Sequence, residues 1–291
     1  MLSKETIQQI ANSFDITEIG ITAANTITAI QPYCVNDDDI CPPLYGIIAP
    51  FARRNYYKEL RQKLTKLAKE LKKLYGGEFY ISVNGNKLAE KLLASNSGIG
   101  FYGKNSLIIN EKYGSYIVLG CIVTSLIIEN IPPVPSKCGS CELCKKACPT
   151  GAIIGDGKIS PSECLQFLCQ QEKISEKYIS FLGHKIYGCN ICQDVCPMNK
   201  KALKRGDKPV LGDVGAKIYL PGILYLSDKE WRERFKGNQL SANWLPPKAI
   251  IKNALIAVYN SGAGKEILIE YSKKGREDLK DFAKKLSERI I

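Results

Sequence analysis

Histidine is nearly missing from this 291-residue chain, where His184 stands alone. No zinc site that needs two or three imidazoles can be built from it. Long apolar runs are missing too. The longest mostly apolar stretch, Tyr116 to Ile128, is broken by Gly, Thr and Ser and falls short of the roughly 18 residues that cross a bilayer. No membrane partner is expected. Met1 to Asp15 has neither the basic segment nor the continuous apolar segment of a secretory leader, so a cytoplasmic location is expected. There is no repeat of 20 to 50 residues. The polarity of a disordered chain is also absent, because 45% of residues are hydrophobic and 24% charged, a mixture that buries a core.

Against these absences stand twelve cysteines. In a reducing compartment they point to metal or redox chemistry rather than disulfides. With one imidazole available, sulfur has to do the ligation. The net charge is +12. Two clusters with 2+ cores and four thiolates each would lower it to about +8. The remaining surplus favours an anionic partner such as RNA or an acidic redox protein.

The cysteines concentrate in residues 136–200, and the chain organises around them. Ser3 is placed to cap a first helix carrying Ile7, Ile10 and Phe14, and Ile16 to Thr22 alternates like a strand. Residues 23–48 read as irregular, with Pro32, Asp37 to Asp39 and Pro42-Pro43 as breakers. From Asn55 to Tyr75 the residues Leu60, Leu64, Leu67, Leu71 and Leu74 share a helical stripe opposite a basic face. Phe79 to Val83 reads as a strand, Leu88 to Leu93 as a helix, and Leu107 to Ile109 and Tyr116 to Ile128 as buried strands. This first part reads as α/β. Ile131-Pro132-Pro133-Val134-Pro135 places a boundary near 132. After residue 200 the chain turns helical, with Pro246-Pro247 opening an apolar run, Ile250 to Tyr259, before a charged helix at the C-terminus.

Cys138-x2-Cys141-x2-Cys144-x3-Cys148-Pro149 is the bacterial ferredoxin run, in which three thiolates hold one [4Fe-4S] cube and the fourth reaches another. A second run, Cys189-x2-Cys192-x3-Cys196-Pro197, lacks the cysteine expected three residues earlier, where Ile186 stands. By the crossed ferredoxin logic, one cluster takes Cys138, Cys141, Cys144 and Cys196. The other takes Cys148, Cys189, Cys192 and one remote thiolate from among Cys164, Cys169 and Cys121. A pair of zinc ribbons is the competing reading, but ribbons have no use for Cys144, Cys148 or the prolines. Cys34, Cys41 and Cys169 read as buried or free thiols.

Gly98-x-Gly100-x-x-Gly103 matches the dinucleotide fingerprint by letter only. A helical segment precedes it and a strand follows, so no helix N-terminus is there to hold a pyrophosphate. The basic stretches Arg53-Arg54, Lys58 to Lys73 and Lys200 to Lys208 could meet phosphates, but no RNP, KH or zinc-finger signature accompanies them.

Taken together, the motifs resemble the epoxyqueuosine reductases, cobalamin and iron–sulfur enzymes that complete queuosine in tRNA, and more distantly the reductive dehalogenases. The residues carrying the resemblance begin with Ile19-Gly20-Ile21-Thr22, Asn55-Tyr56-Tyr57-Lys58, Gly98 to Lys104, Gly114-Ser115 and Leu119-Gly120. They continue with Cys138 to Gly151, Cys164, Ile186 to Pro197, and Lys252-Asn253-Ala254. The resemblance implies a fold of α+β / α/β class in three parts. Residues 1–132 form a corrinoid-binding-like α/β domain, 133–200 a ferredoxin-like domain with two [4Fe-4S] clusters, and 201–291 a short helical segment that helps hold tRNA. It assigns the remote ligand to Cys164 and implies cobalamin as cofactor, with Gly98, Gly100, Gly103, Lys104, Asn105 and Tyr187 as cofactor-binding residues. A ferredoxin or flavodoxin is implied as electron donor, and tRNA as partner.

The family's proton-donating aspartate aligns with Asn84, which is no general acid; Asp37, Asp38, Asp39 and Tyr102 are the other candidate donors. Asn105 stands where the family usually has histidine. The stretch from Thr22 to Asn55 is shorter than in the family, and fewer repeat helices follow. The implied function is an iron–sulfur oxidoreductase with altered substrate or mechanism. A protein that only passes low-potential electrons to a partner is the alternative, and a nucleic-acid-binding module with structural metal is the third reading.

Overall fold

The structure is a computed structural model that describes residues 1–33, 35, 40–202 and 210–290. Its first half is built on a four-stranded sheet, in the spatial order Glu18–Thr22, Thr26–Pro32, Ile117–Thr124, Phe79–Ser82. Every pairing in it is antiparallel. The α/β expectation is corrected accordingly: helices and strands are mixed, but the sheet is of the α+β kind. Ser3 caps the first helix, Lys4–Asn12, its hydroxyl accepting from the Thr6 amide.

The long helix Tyr56–Tyr75 is capped by Asn55 and ends at Gly76. It lays Leu60, Leu64, Leu67 and Leu71, all fully buried, on the sheet, each contributing about 2 kcal/mol of apolar burial. Leu74 is half-exposed, because the helix overshoots the sheet by its last turn. Gly120 in the strand beneath permits the contact, since a Cβ there would come within 2.8 Å of Leu64.

Thr26–Pro32 is an inner strand buried on both faces, which corrects the irregular reading of residues 23–48. The alternation signal fails here because polar side chains are satisfied inside the protein rather than in water. The Thr28 hydroxyl lies 2.6 Å from that of Ser97, and Gln31 accepts from Lys63.

The strand Tyr45–Ile48 leaves this sheet altogether. It pairs in parallel with Lys185–Tyr187 and antiparallel with Lys217–Tyr219. Ile48 and Ala52 thereby enter a second core with Leu165, Leu168, Trp231, Ile250 and Leu255. Chain from the first third therefore crosses the boundary expected near 132. The C-terminal charged helix is two helices, Lys265–Lys274 and Glu277–Glu288. Gly275 separates them where a Cβ would strike Tyr271.

Both pack on Pro247–Asn260, a helix buried over nearly its whole length. Its polar residues serve as ties: the Asn253 amide donates to the carbonyls of Cys169 and Ile186, and Lys252 Nζ donates to that of Gln171 at 2.8 Å. Burial pulls the Lys252 ammonium down from its ordinary 10.5 to about 8, and the neighbouring Cys169 thiol acts weakly in the opposite sense.

Below pH 8 the lysine is charged both folded and unfolded, and the desolvation cost is borne in full. Between about 8 and 10.5 the unfolded chain binds more protons, so this group's contribution rises with pH, by at most about 3 kcal/mol. Melting temperatures of wild type and Lys252→Met, measured from pH 7 to 10.5, are expected to shift in favour of wild type as pH rises. A constant difference across that range would contradict the buried, proton-poor lysine.

Candidate metal centre

Each cysteine run is a loop wound on a single helical turn, Leu143–Ala147 in the first and Ile191–Asp194 in the second. The Cys141 amide donates to the Cys138 carbonyl at 3.0 Å across Gly139, whose φ of +48° is easy only for glycine. Cys148 and Cys196 both precede proline and are both extended. The proline ring disfavours the helical region for the residue before it, so each run releases its last cysteine away from those before it, three in the first run and two in the second.

The eight cysteines divide into two quartets, each rimming its own cavity. Cys138, Cys141, Cys144 and Cys196 line a space of about 80 Å³ together with Lys104, Asn105 and Met198. Cys148, Cys164, Cys189 and Cys192 line one of about 260 Å³. Among the described residues no three Cys, His, Asp or Glu side chains converge as the ligands of a lone ion. Each quartet instead lines the wall of a cavity.

The electrostatics repeat the division. Cys144 is pushed up by burial and by Cys138, Cys196 and Cys141. Cys189 is pushed up by burial and by Cys164 and Cys148, against a backbone hydrogen bond and Lys185. Burial, with the thiolates of both quartets behind it, lifts Cys192 to about 12. Cys148 falls below its ordinary value: burial raises it, but hydrogen bonds from Thr150, Ile153 and Ala152 outweigh that effect. Thiolates crowded this closely need a cationic core between them, so the donor sets fit two iron–sulfur clusters.

The second cavity continues past its cysteines to an apolar wall that includes Phe51, Leu107, Ile117, Val118 and Ile159, with Tyr57, Lys91, Asn105 and Ser106 as its polar groups. Lys91 Nζ donates to the Ser106 carbonyl at 2.8 Å. Tyr57 is lifted to about 12 by burial and by Glu90. A buried polar knot fastens the cluster segment to the sheet. The Gln193 amide donates to Tyr33 Oη and the Ser115 carbonyl. Asn199 accepts from the Ser115 amide at 2.7 Å and donates to the Gln193 carbonyl. A Cβ on Gly114 (φ +58°) would lie 2.0 Å from Asn199 Oδ1, so glycine is required there.

The other residues singled out from the sequence fall in different places. Lys104 lines the first cavity and Asn105 lines both. Gly103 lies beside Asn105, where a Cβ would approach its Oδ1 to 2.8 Å. Gly98 and Gly100 line neither cavity; they allow close packing on Ile131 and on the Ile109 carbonyl. Tyr187 is buried against Phe51 and is not among the cavity walls. A helix, Glu90–Ser95, precedes the glycines and a short hairpin follows.

Asn84 is exposed, with φ +51°. Glu90 clasps its loop, accepting from Ser82 Oγ and from the amides of Asn84 and Gly85. Three donors on one carboxylate hold the turn that carries Asn84, which lines neither cavity. Tyr102 is hydrogen-bonded to Ser106. Cys34 and Asp37 to Asp39 lie outside the described residues. Cys121 and Cys169 are buried, and Cys41 bonds the Tyr45 carbonyl. Tyr33 and Lys91 were not singled out from the sequence, and Tyr57, Ser115 and Gln193 were named only within longer matching segments, because these residues meet only through the fold.

Residues 137–199 match the family described as 4Fe-4S double cluster binding domain. The epoxyqueuosine reductase of Listeria monocytogenes is 35% identical over 205 residues, which is 69% of this chain and 54% of that protein. That of Lactococcus garvieae is 37% identical over 212 residues, 71% and 59% respectively. The chain thus spans somewhat more than half the length of these curated relatives. A solved epoxyqueuosine reductase with a tRNA-Tyr epoxyqueuosine-modified stem loop superposes with a TM-score of 0.89 at 26% identity, covering 99% of this chain and 90% of that one. The enzyme from Streptococcus thermophilus gives 0.81 at 28% identity, covering 93% and 85%.

The division of ligands is open to a direct count. Anaerobically reconstituted wild type is expected to hold about eight irons, and Cys164→Ala about four. Cys169→Ala is expected to keep the wild-type content. Equal iron loss in the two variants would refute the assignment of the remote ligand.

Proposed function

Because this chain belongs to the epoxyqueuosine reductase family, we propose that it is an iron–sulfur oxidoreductase that opens an epoxide on a tRNA-borne nucleoside with two electrons. The single observation carrying this reading is the pair of cysteine quartets rimming adjacent cavities, the second continuing into an apolar wall with a few polar groups. Cys138, Cys141, Cys144 and Cys196 would hold one [4Fe-4S] cluster, and Cys148, Cys164, Cys189 and Cys192 the other. Tyr57, Lys91 and Ser106 would hold a corrinoid against the wall that includes Val118. Bound there, the clusters supply electrons singly and the corrinoid supplies the two-electron reducing power.

The chain's own residues do the rest. The apolar wall excludes water from the reducing centre, and Lys91, tied to the Ser106 carbonyl, keeps a fixed positive charge at the cavity. Reductive opening of an epoxide breaks a ring C–O bond and takes up two electrons from the reductant and two protons from solvent, one of those protons going to the oxyanion that the cleavage leaves. In this reading the Asn84 amide hydrogen-bonds that oxygen without protonating it, and the proton comes from water, which reaches the exposed loop. Glu90 holds the loop in its left-handed turn. The exposed face of the long helix, with Lys58, Arg61, Lys66, Lys69 and Lys72, offers phosphate contacts to tRNA. A ferredoxin or flavodoxin supplies the electrons.

The test is turnover of epoxyqueuosine-containing tRNA by anaerobically reconstituted protein with cobalamin and a strong reductant. Asn84→Asp is expected to turn over on the order of 10²-fold faster than wild type, the lower range of what a positioned general acid contributes. Absence of saturable cobalamin binding, together with no turnover by either protein, would remove the reading.

A further inference from the structure

Three buried polar side-chain atoms have no hydrogen-bond partner among the described residues, Asn253 Oδ1, Tyr271 Oη and Asn105 Nδ2, and of these Asn105 alone borders the two cysteine cavities. The side-chain nitrogen of Asn105 has no hydrogen-bond partner among the described residues, although the residue is only 5% exposed. The orientation of the amide is set by its other end: Oδ1 accepts from the Leu107 amide, which turns Nδ2 away from that turn. Gly103, Ser106 and Leu107 form a tight loop around it, with the Gly103 amide on the Leu107 carbonyl and Ser106 at φ +63°. An unmade hydrogen bond on a buried amide costs about 1–3 kcal/mol, so this nitrogen needs an acceptor.

Its position narrows the choice. Among the described residues Asn105 is the one that lines both the cavity of Cys138, Cys141, Cys144 and Cys196 and that of Cys148, Cys164, Cys189 and Cys192. It stands in the partition between them. Four cysteine sulfurs rim the cavity on each side of it, and these are the acceptor type the two linings share.

We propose that Asn105 is a positioning residue that donates its free side-chain N–H to the sulfur cage of one cluster and so holds that cluster at a higher reduction potential than it would otherwise have. The inference rests on the iron–sulfur reading above. The sign follows from charge. A reduced cluster carries one more negative charge on its iron and sulfur, and a donor aimed at sulfur stabilises that form more than the oxidised one. Setting the two potentials apart gives electron flow between the clusters a direction.

The experiment uses the full chain reconstituted anaerobically with iron and sulfide, without corrinoid, and titrated redox-wise under electron paramagnetic resonance. Asn105→Leu removes the donor, and Asn105→Asp keeps the shape while replacing N–H by a charged oxygen. Both are expected to keep the wild-type iron content. One midpoint potential is expected to fall in Asn105→Leu, so that at fixed potential the ratio of reduced to oxidised cluster drops about tenfold, or about 59 mV for one electron. It should fall further in Asn105→Asp, while the other cluster is unmoved.

Unchanged potentials in both variants would overturn the proposal. So would weakened cobalamin binding with unchanged potentials, which would assign the amide to the corrinoid. Loss of iron from both variants would also overturn it, since Asn105 would then be a structural post. Wild type that takes up no iron would instead defeat the underlying iron–sulfur reading.

Discussion

Repulsion among thiolates governs this molecule. Eight sulfurs are gathered into two adjacent quartets, and in Cys192 the influence of both quartets is felt at one atom. In water such charges would be screened within a few ångströms, but the walls here are half-buried and apolar, where like charges interact several times more strongly. The arrangement is stable only if positive charge sits among the sulfurs or if protons remain on them. The metal centres are therefore part of the folding problem as well as of the chemistry.

The fold meets that problem by holding the cluster segment from two sides. On one side, Gln193 and Asn199 lock into Ser115 and Tyr33 at the ends of the two inner strands of the antiparallel sheet. On the other, Tyr45–Ile48 joins Lys185–Tyr187, the strand just before the second cysteine run, and Asn253 ties the carbonyls of Cys169 and Ile186 to the C-terminal helices. Polar side chains do this fastening from positions that are wholly buried, where every unmet bond would be costly. Geometry at the cavities is thus imposed by elements remote in sequence from the cysteines.

That remoteness decides what could be read in advance. Cysteine spacing is a local signal, and so are the leucine stripe of Tyr56–Tyr75 and the Ser3 cap, each determined by residues within a turn or two. Thr26–Pro32 escaped notice because its polar residues find partners in Ser97 and Lys63, long stretches of chain away, which erases the alternation a half-wet strand would show. Tyr45–Ile48 is too short to announce its sheet. Tyr33, Lys91 and Gln193 become neighbours only after the sheet and the cluster segment dock, so no window of sequence contains the signal. Asn105 was visible as a residue, but its unmet nitrogen and its place in the partition were not.

The strand Tyr45–Ile48 has a consequence for biogenesis. Its partners at Lys185–Tyr187 and Lys217–Tyr219 leave the ribosome long after it does, so its backbone amides and carbonyls stay unpaired through most of translation. Contacts of such sequence separation form late. The core that flanks the second cysteine run can therefore close only after Lys217–Tyr219 has been made, so the surroundings of these sulfurs are completed late in folding.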